Sequence, residues 1–280
     1  MKSSAPSFLC TAADEVRAAG PLVHCITNYV TVNDCANAVL AVGASPIMSD
    51  EPADVADITS VCGGLDLNIG TLNVRSVEGM HAAGARAAEL GHPIVLDPVG
   101  AGASALRTRT AVELLGTLPV SVVRGNMSEV RALAGASSST RGVDVGAADA
   151  VGEKNLDASV ALVRELAAKA GCAIAVTGAI DVVADAERAF VVRNGVALMG
   201  KITGSGCMLS ATTVAYAVAH VDPLEAAVAA VASMGLAGQV AAGRMGPSDG
   251  NGSFRTYLLD ALYNQTGAEL AAGALVEEVL

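Results

Sequence analysis

The stretch KITGSGCMLSATTVAYAVAH, Lys201 to His220, opens as a glycine-rich turn and runs on without a charge until Asp222. Read as a membrane span it would make the chain an integral protein; read as a core helix it belongs inside a large α/β fold. Ala226–Gly243 poses the same choice. Composition favours the core: the runs carry Gly, Ser, Thr and Gln, the acidic turn HVDPLEAA separates them, and neither has an aromatic belt or a one-sided basic flank. No membrane partner is expected.

The rest of the composition agrees. The 280 residues are 52% hydrophobic but only 2% aromatic, without Trp, so the interior must be built from Ala, Val, Leu and Ile. A net charge of −11 excludes the basic footprint of a nucleic-acid binder, and any anionic ligand must be held locally by backbone and a few cations. The six cysteines, at 10, 25, 35, 62, 172 and 207, form no C-x-x-C pair, and MKSSAPSFLC lacks the apolar core of a signal peptide. Reduced thiols in the cytoplasm are the expectation.

Six short runs bounded by Gly, Pro or Asn read as strands: PLVHCI, ASPIM, LDLNIG, PIVLDP, VSVVRGN and CAIAVTG. Helix-period stretches lie between them, over Val32–Val42, Pro52–Val61, Val74–Leu90, Thr108–Gly116, Ser128–Ala134 and Leu156–Ala170. This alternation predicts an α/β fold with a central, mostly parallel sheet flanked by helices. After Gly178, DVVADAERAFVVRNGVALMG reads as short antiparallel strands over 181–200, turning at DAER and RNG, and the remainder reads as helical. SSSTRGVD, Ser137–Asp144, reads as a surface loop rather than a linker, so residues 1–280 are expected to form one domain.

Ligands of open α/β sheets sit beyond the carboxyl ends of the strands. The positions there are polar: Thr27-Asn28, Met48-Ser49, Thr71, Asp97-Pro98, Arg124-Gly125-Asn126 and Thr177-Gly178. Asp97 and Glu129, with Asn126 adding an oxygen, suit Mg²⁺, which takes few protein oxygens and keeps its waters. The same residues also read as a turn carboxylate before Pro98 and an acid in a helix's first turn. GVALMGK, Gly195–Lys201, meets the G-x-x-x-x-G-K spacing of a P-loop, but Ile202 follows instead of Ser or Thr and VALM reads as strand. Lys201 is left as a cation near the next loop. Gly204 and Gly206 would let backbone approach an anion at a helix N-terminus, and they equally allow tight helix packing. Cys207 then falls where the helix dipole should favour a thiolate.

In this order and spacing, PLVHCITNYV, NIGTL, IVLDPVGAGAS, RGNMSEV, AVTGAIDVV and KITGSGCMLSA closely resemble the hydroxyethylthiazole kinases of thiamin salvage, from about Pro21 to Phe254. The resemblance implies a ribokinase-like fold, a homotrimer with sites near subunit interfaces, and transfer of the γ-phosphate of ATP to 4-methyl-5-(2-hydroxyethyl)thiazole with Mg²⁺. It puts Met48 and Gly204 at the thiazole with Asn28 nearby, and Arg124 and Thr177 at ATP. Asp97, Asn126, Gly206 and Glu129 fall around the phosphates and metal. Many ribokinase-like kinases carry an Asp base where this chain and the thiazole kinases carry Cys, which makes Cys207 the catalytic candidate. The competing readings are a hydroxymethylpyrimidine kinase, against which Cys207 weighs, and a nucleotide-binding protein without catalysis.

Overall fold

The structure, a computed structural model, describes residues 5–137 and 151–279. Beyond Ser137, the predicted surface loop lies outside the described residues. After α1 (Leu9–Ala19) the first half alternates as read: β1 (Leu22–Ile26), α2 (Val32–Ala41), β2 (Ser45–Met48), α3 (Val55–Val61), β3 (Gly64–Asn68), α4 (Val74–Leu90), β4 (Ile94–Asp97), α5 (Ala105–Thr117), β5 (Val122–Gly125) and α6 (Met127–Ser137). It continues through α7 (Leu156–Ala170), β6 (Ala173–Val176), β7 (Asp181–Ala184), β8 (Ala189–Val192), α8 (Ser205–Ala219), α9 (Pro223–Arg244), α10 (Asn251–Asn264), α11 (Gly267–Gly273) and β9 (Val276–Val279). Local chemistry sets several starts: Asn73 and Ser76 form a capping box on α4, and Asp222 caps α9, whose first residue is Pro223.

The strands form one sheet in the order β2-β1-β3-β4-β5-β6-β7-β8-β9. β2 through β6 run parallel and the last three strands pair antiparallel. The chain steps to one side of β1 for β2 and to the other for β3, so the topological switch point lies at β1 and β3.

The strand pleat separates two cores. Leu65, Leu67, Leu96, Val123 and Val176 pack with α4 to α7 on one face, while Cys25, Val95, Val122 and Ala175 pack on the other with α1, α2, α8 and α9. α8 crosses β1, β3 and β4 beneath α2 and α9, and its residues from Cys207 to Ala217 are buried. Burial on all sides explains its charge-free sequence. α9 is the one helix among the described residues long and apolar enough to cross a membrane, and 72% of its apolar window is buried inside the protein.

Three expectations are corrected. The third antiparallel strand does not form: Ala197–Lys201 is a 3-10 turn, and β8 pairs instead with β9, in a stretch read as helical. Asn194-Gly195 accordingly is no hairpin turn. The Asn194 amide donates to Gln239 Oε1 (2.8 Å) and to the Gly273 carbonyl (3.0 Å) and accepts from Leu275 N–H (2.7 Å), which docks the incoming β9. Last, α1, absent from the sequence reading, packs against α8 and α11.

Candidate active site

On the α8 face, the last side chains of successive strands form a polar row across the carboxyl edge: Asn68 on β3, Asp97 on β4, Arg124 on β5 and Thr177 just after β6. Asn28, beyond β1, continues it. Its amide donates to Asn68 Oδ1 (3.2 Å) and to the Cys207 sulfur (3.1 Å), while its oxygen accepts from Thr31 N–H (3.1 Å) and Thr31 Oγ1 (3.0 Å). Asn68 Nδ2 then donates to Asp97 Oδ2 (2.8 Å), as does Ser210 Oγ from α8 (2.8 Å). Arg124 Nη1 stands 3.6 Å from the same oxygen, and its Nη2 donates to Thr177 Oγ1 (2.6 Å). The row is almost wholly removed from water, so these pairings are what make its polar groups tolerable.

Two atoms stay unpaired within it, Asp97 Oδ1 and Arg124 Nε. Burial pushes the Asp97 carboxyl up to about 6 against the opposing pull of Arg124 and the Ser210 hydroxyl. A fully buried carboxylate with one free oxygen beside a guanidinium is an arrangement that a cation or a ligand donor would complete.

Glu129 stands at the first turn of α6. Its Oε1 accepts from Gly100 N–H (2.8 Å) and its Oε2 from Asn126 N–H (2.8 Å), and Asn126 Oδ1 accepts in return from Glu129 N–H (2.9 Å). This reciprocal cap ties the loop after β4 to the start of α6. Glu129 remains near enough to Asp97 to raise its affinity for protons. Among the described residues no group of three or more His, Cys, Asp or Glu side chains could hold a metal by itself.

Gly204, which caps α8, has φ 79°, and a side chain there would collide with Thr31. At Gly206 a Cβ would lie 2.4 Å from Arg124 Nη1. Both glycines therefore let the helix start press against the polar row, and they bring its free N–H groups beside the guanidinium.

The Cys207 thiol differs from expectation. It is pushed up from its ordinary value, first by burial and then by the Asp97 charge, while hydrogen bonds from Asn68, Thr31 and Asn28 pull the other way. Desolvation is the largest of these effects.

Past Arg124 the edge opens into a cleft of about 560 Å³, lined by Arg124, Asn126, Thr177 and Gly206 and by apolar side chains of α8 and α9. Asp181 also lines it, its carboxyl pushed up to about 7 by burial. Met48 lies apart from this cleft, at the end of β2 beside Cys25 of β1. Asn28 is flanked by Tyr29 and Val30, both exposed. Nine of the ten candidate residues thus gather along one edge and its two flanking loops. Sequence reading missed Thr31, Asn68, Ser210 and Asp181. Asn68, at least, carried a signal: it is polar at every second position with Asp66 in an otherwise apolar strand.

The hydroxyethylthiazole kinase family model matches residues 13–267. The chain belongs to the hydroxyethylthiazole kinase family. It is 50% identical over 265 residues to the hydroxyethylthiazole kinase of Clostridium acetobutylicum, covering 94% of this chain and 97% of that protein. Over 257 residues it is 50% identical to that of Methanocella arvoryzae, covering 92% and 93%. The solved hydroxyethylthiazole kinase of Pyrococcus horikoshii superposes with a TM-score of 0.88 at 37% identity, over 98% of this chain and all of that one. A ribokinase-like superfamily protein of Enterococcus faecalis, at 13% identity and a TM-score of 0.59 over 92% of this chain and 91% of its own, shares the fold. The protein is therefore a kinase of ribokinase-like architecture.

Proposed function

We propose that the protein transfers the γ-phosphate of ATP to the primary alcohol of 4-methyl-5-(2-hydroxyethyl)thiazole in thiamin salvage, with Mg²⁺, as a one-domain cytoplasmic enzyme and a homotrimer. The observation that carries this reading is Arg124, clamped between Thr177 and Asp97 and touching the glycine start of α8, at the mouth of a cleft large enough for a nucleotide. Phosphoryl transfer asks for positioning and charge stabilisation more than covalent chemistry. The guanidinium and the N–H groups of Ser205, Gly206 and Cys207 supply both, because they are fixed before the ligand arrives.

Asn28, Met48 and Gly204 line the thiazole side. The exposed Tyr29 and Val30 next to Asn28 leave that side open on a single chain, which supports closure by another copy. Cys207, held by the Asn28 amide, lies between this side and Asp97. As the thiolate it would accept the alcohol's proton as the bond to phosphorus forms, becoming the thiol, and because burial raises its affinity for protons only a small fraction is thiolate near neutrality. Asp97, with its free oxygen, and Glu129, through the lone pairs its two backbone contacts leave, are the residues that would hold Mg²⁺; Asn126 orients Glu129. The ion, when bound, would neutralise charge on the phosphates.

The test is ATP consumption by the purified protein with Mg²⁺, offered the thiazole alcohol or a hydroxymethylpyrimidine. Turnover that depends on the thiazole and is at least tenfold weaker with the pyrimidine is the expected outcome. Turnover with the pyrimidine alone, or ATP binding without phosphorylation of either alcohol, would discard the reading.

A further inference from the structure

The polar row does not end at Thr177. Asp181, the first residue of β7, lies one strand further on, beside the β6–β7 ladder in which Val176 faces Val182. Two residues before Val183, a member of the core under α8 and α9, it shares that residue's face of the strand, so its carboxyl faces the α8 side of the sheet and reaches the cleft. The residue is 9% exposed. Its Oδ1 accepts from Gly178 N–H at 2.8 Å, closing the turn into β7, while Oδ2 meets no donor among the described residues.

An acid here costs more than the fold returns, because burial outweighs both the Gly178 hydrogen bond and the pull of the Arg124 charge. Oδ1 alone closes the turn, and an amide would do that equally well, without the penalty of burying a carboxylate. Nor does it suit the anionic end of a nucleotide, since the carboxyl, whenever it is ionised, offers no donor and repels phosphate. The donors on a nucleoside triphosphate are the sugar hydroxyls and, on adenine, the exocyclic amine. Position separates the two. Along the strand edge the cleft runs from Arg124 on β5, past Thr177 after β6 and Asp181 at the start of β7, to Asn194 after β8, and Met199, Leu209, Val231 and Met234 give it an apolar wall that suits a flat base. Asp181 falls between Arg124 and Asn194 in that order, the place for the sugar of a nucleotide whose phosphates meet Arg124.

We propose that Asp181 selects ribonucleotides as phosphoryl donors by accepting hydrogen bonds from the ribose 2′- and 3′-hydroxyls. This rests on the kinase reading above and names how that site recognises its nucleotide. Sites built to bind a hydroxyl reject the analogue without it, because the buried acceptor is then left unpaired.

The experiment compares kcat and KM for ATP, 2′,3′-dideoxy-ATP and inosine triphosphate, in the native protein and in Asp181→Asn. Asn keeps the Gly178 contact through its amide oxygen, and a thermal melt checks that the variant is folded. The native protein is expected to lose about tenfold to a hundredfold in kcat/KM with dideoxy-ATP, mostly through KM. The Asn variant should raise KM for ATP to a similar extent with kcat retained, and use ATP and dideoxy-ATP about equally. A native protein indifferent to the missing hydroxyls overturns the proposal without any mutant. So does an Asn variant that keeps native discrimination, which would leave Asp181 as a turn residue only. Loss with inosine triphosphate but not with dideoxy-ATP also overturns it, and assigns the carboxylate to the base amine. Failure of the native protein to bind or turn over ATP at all discards the kinase reading, and this proposal with it.

Discussion

Leu96 and Asp97 are neighbours on β4, equally buried, and belong to different molecules in chemical terms. Leu96 points into the aliphatic core beneath α4 to α7; Asp97 points under α8, into Asn68, Ser210 and Arg124. The same alternation separates Leu67 from Asn68 and Val123 from Arg124. One face of the sheet end is filled by shape and the other by hydrogen bonds, and a helix start rather than water covers the second. Asp66 shows how far the contrast extends: one pleat deeper than Asn68, it has no hydrogen-bond partner for either oxygen among the described residues, and burial pushes its carboxyl well above the usual range.

The sharpest way to break this comparison is Asp97→Ala. Turnover should fall by about a thousandfold, as for loss of a central charge-stabilising group, and the Mg²⁺ needed for half-maximal rate should rise. In the native protein Mg²⁺ binding should weaken as pH falls through about 6, because the proton then occupies the carboxyl that the ion needs, and the variant should lack that dependence. A variant with an unchanged magnesium titration would make Asp97 part of the structural core, like Leu96.

Leu96→Ala is the counterpart across the pleat. It should cost about 2–5 kcal/mol of stability by leaving a cavity, read by denaturant unfolding, while kcat and the magnesium requirement of the folded fraction stay native. If the magnesium requirement moved as well, the two faces would be coupled and the division drawn here would fail.

The smallest effect is expected at Cys207, whose thiol burial makes a weaker acid than usual. Cys207→Ala should lower kcat by about a hundredfold or less, since the thiol is largely protonated at neutrality and a loose transition state asks little of a base. Because its affinity for protons is raised, the reactive thiolate is gained as pH rises, so native kcat should climb above neutral pH. Cys207→Asp should flatten that climb. A pH profile identical in the native and Ala proteins would reduce Cys207 to a packing residue held by Asn28.

Much of this was legible without coordinates. Each of the six strand candidates forms, and α4 and α7 keep their predicted bounds, because apolar runs, breakers and helix period are written in consecutive residues. The edge residues Asp97, Arg124, Asn126 and Thr177 could be picked because they follow strands, and motif spacing carried the family. The chemistry of Cys207 could not be read this way. A dipole argument from α8 alone favours a thiolate, and the Asp97 charge and the surrounding protein, brought there by other strands, reverse it.

What the sequence by itself determined is therefore the inventory: an alternating α/β chain, a glycine helix start, a set of polar strand ends, and charge-free helices fit for a core. What only the tertiary structure decided is who meets whom. β9 takes the place beside β8 that residues 196–200 were expected to fill, because Asn194 hydrogen-bonds across to Gly273 and Leu275. Asn28 reaches Cys207 across 179 positions of chain, and Ser210 reaches Asp97 across 113. Local periodicity reports which residues share a face of their own element, whereas these contacts depend on loop closures and helix placements that no local pattern encodes.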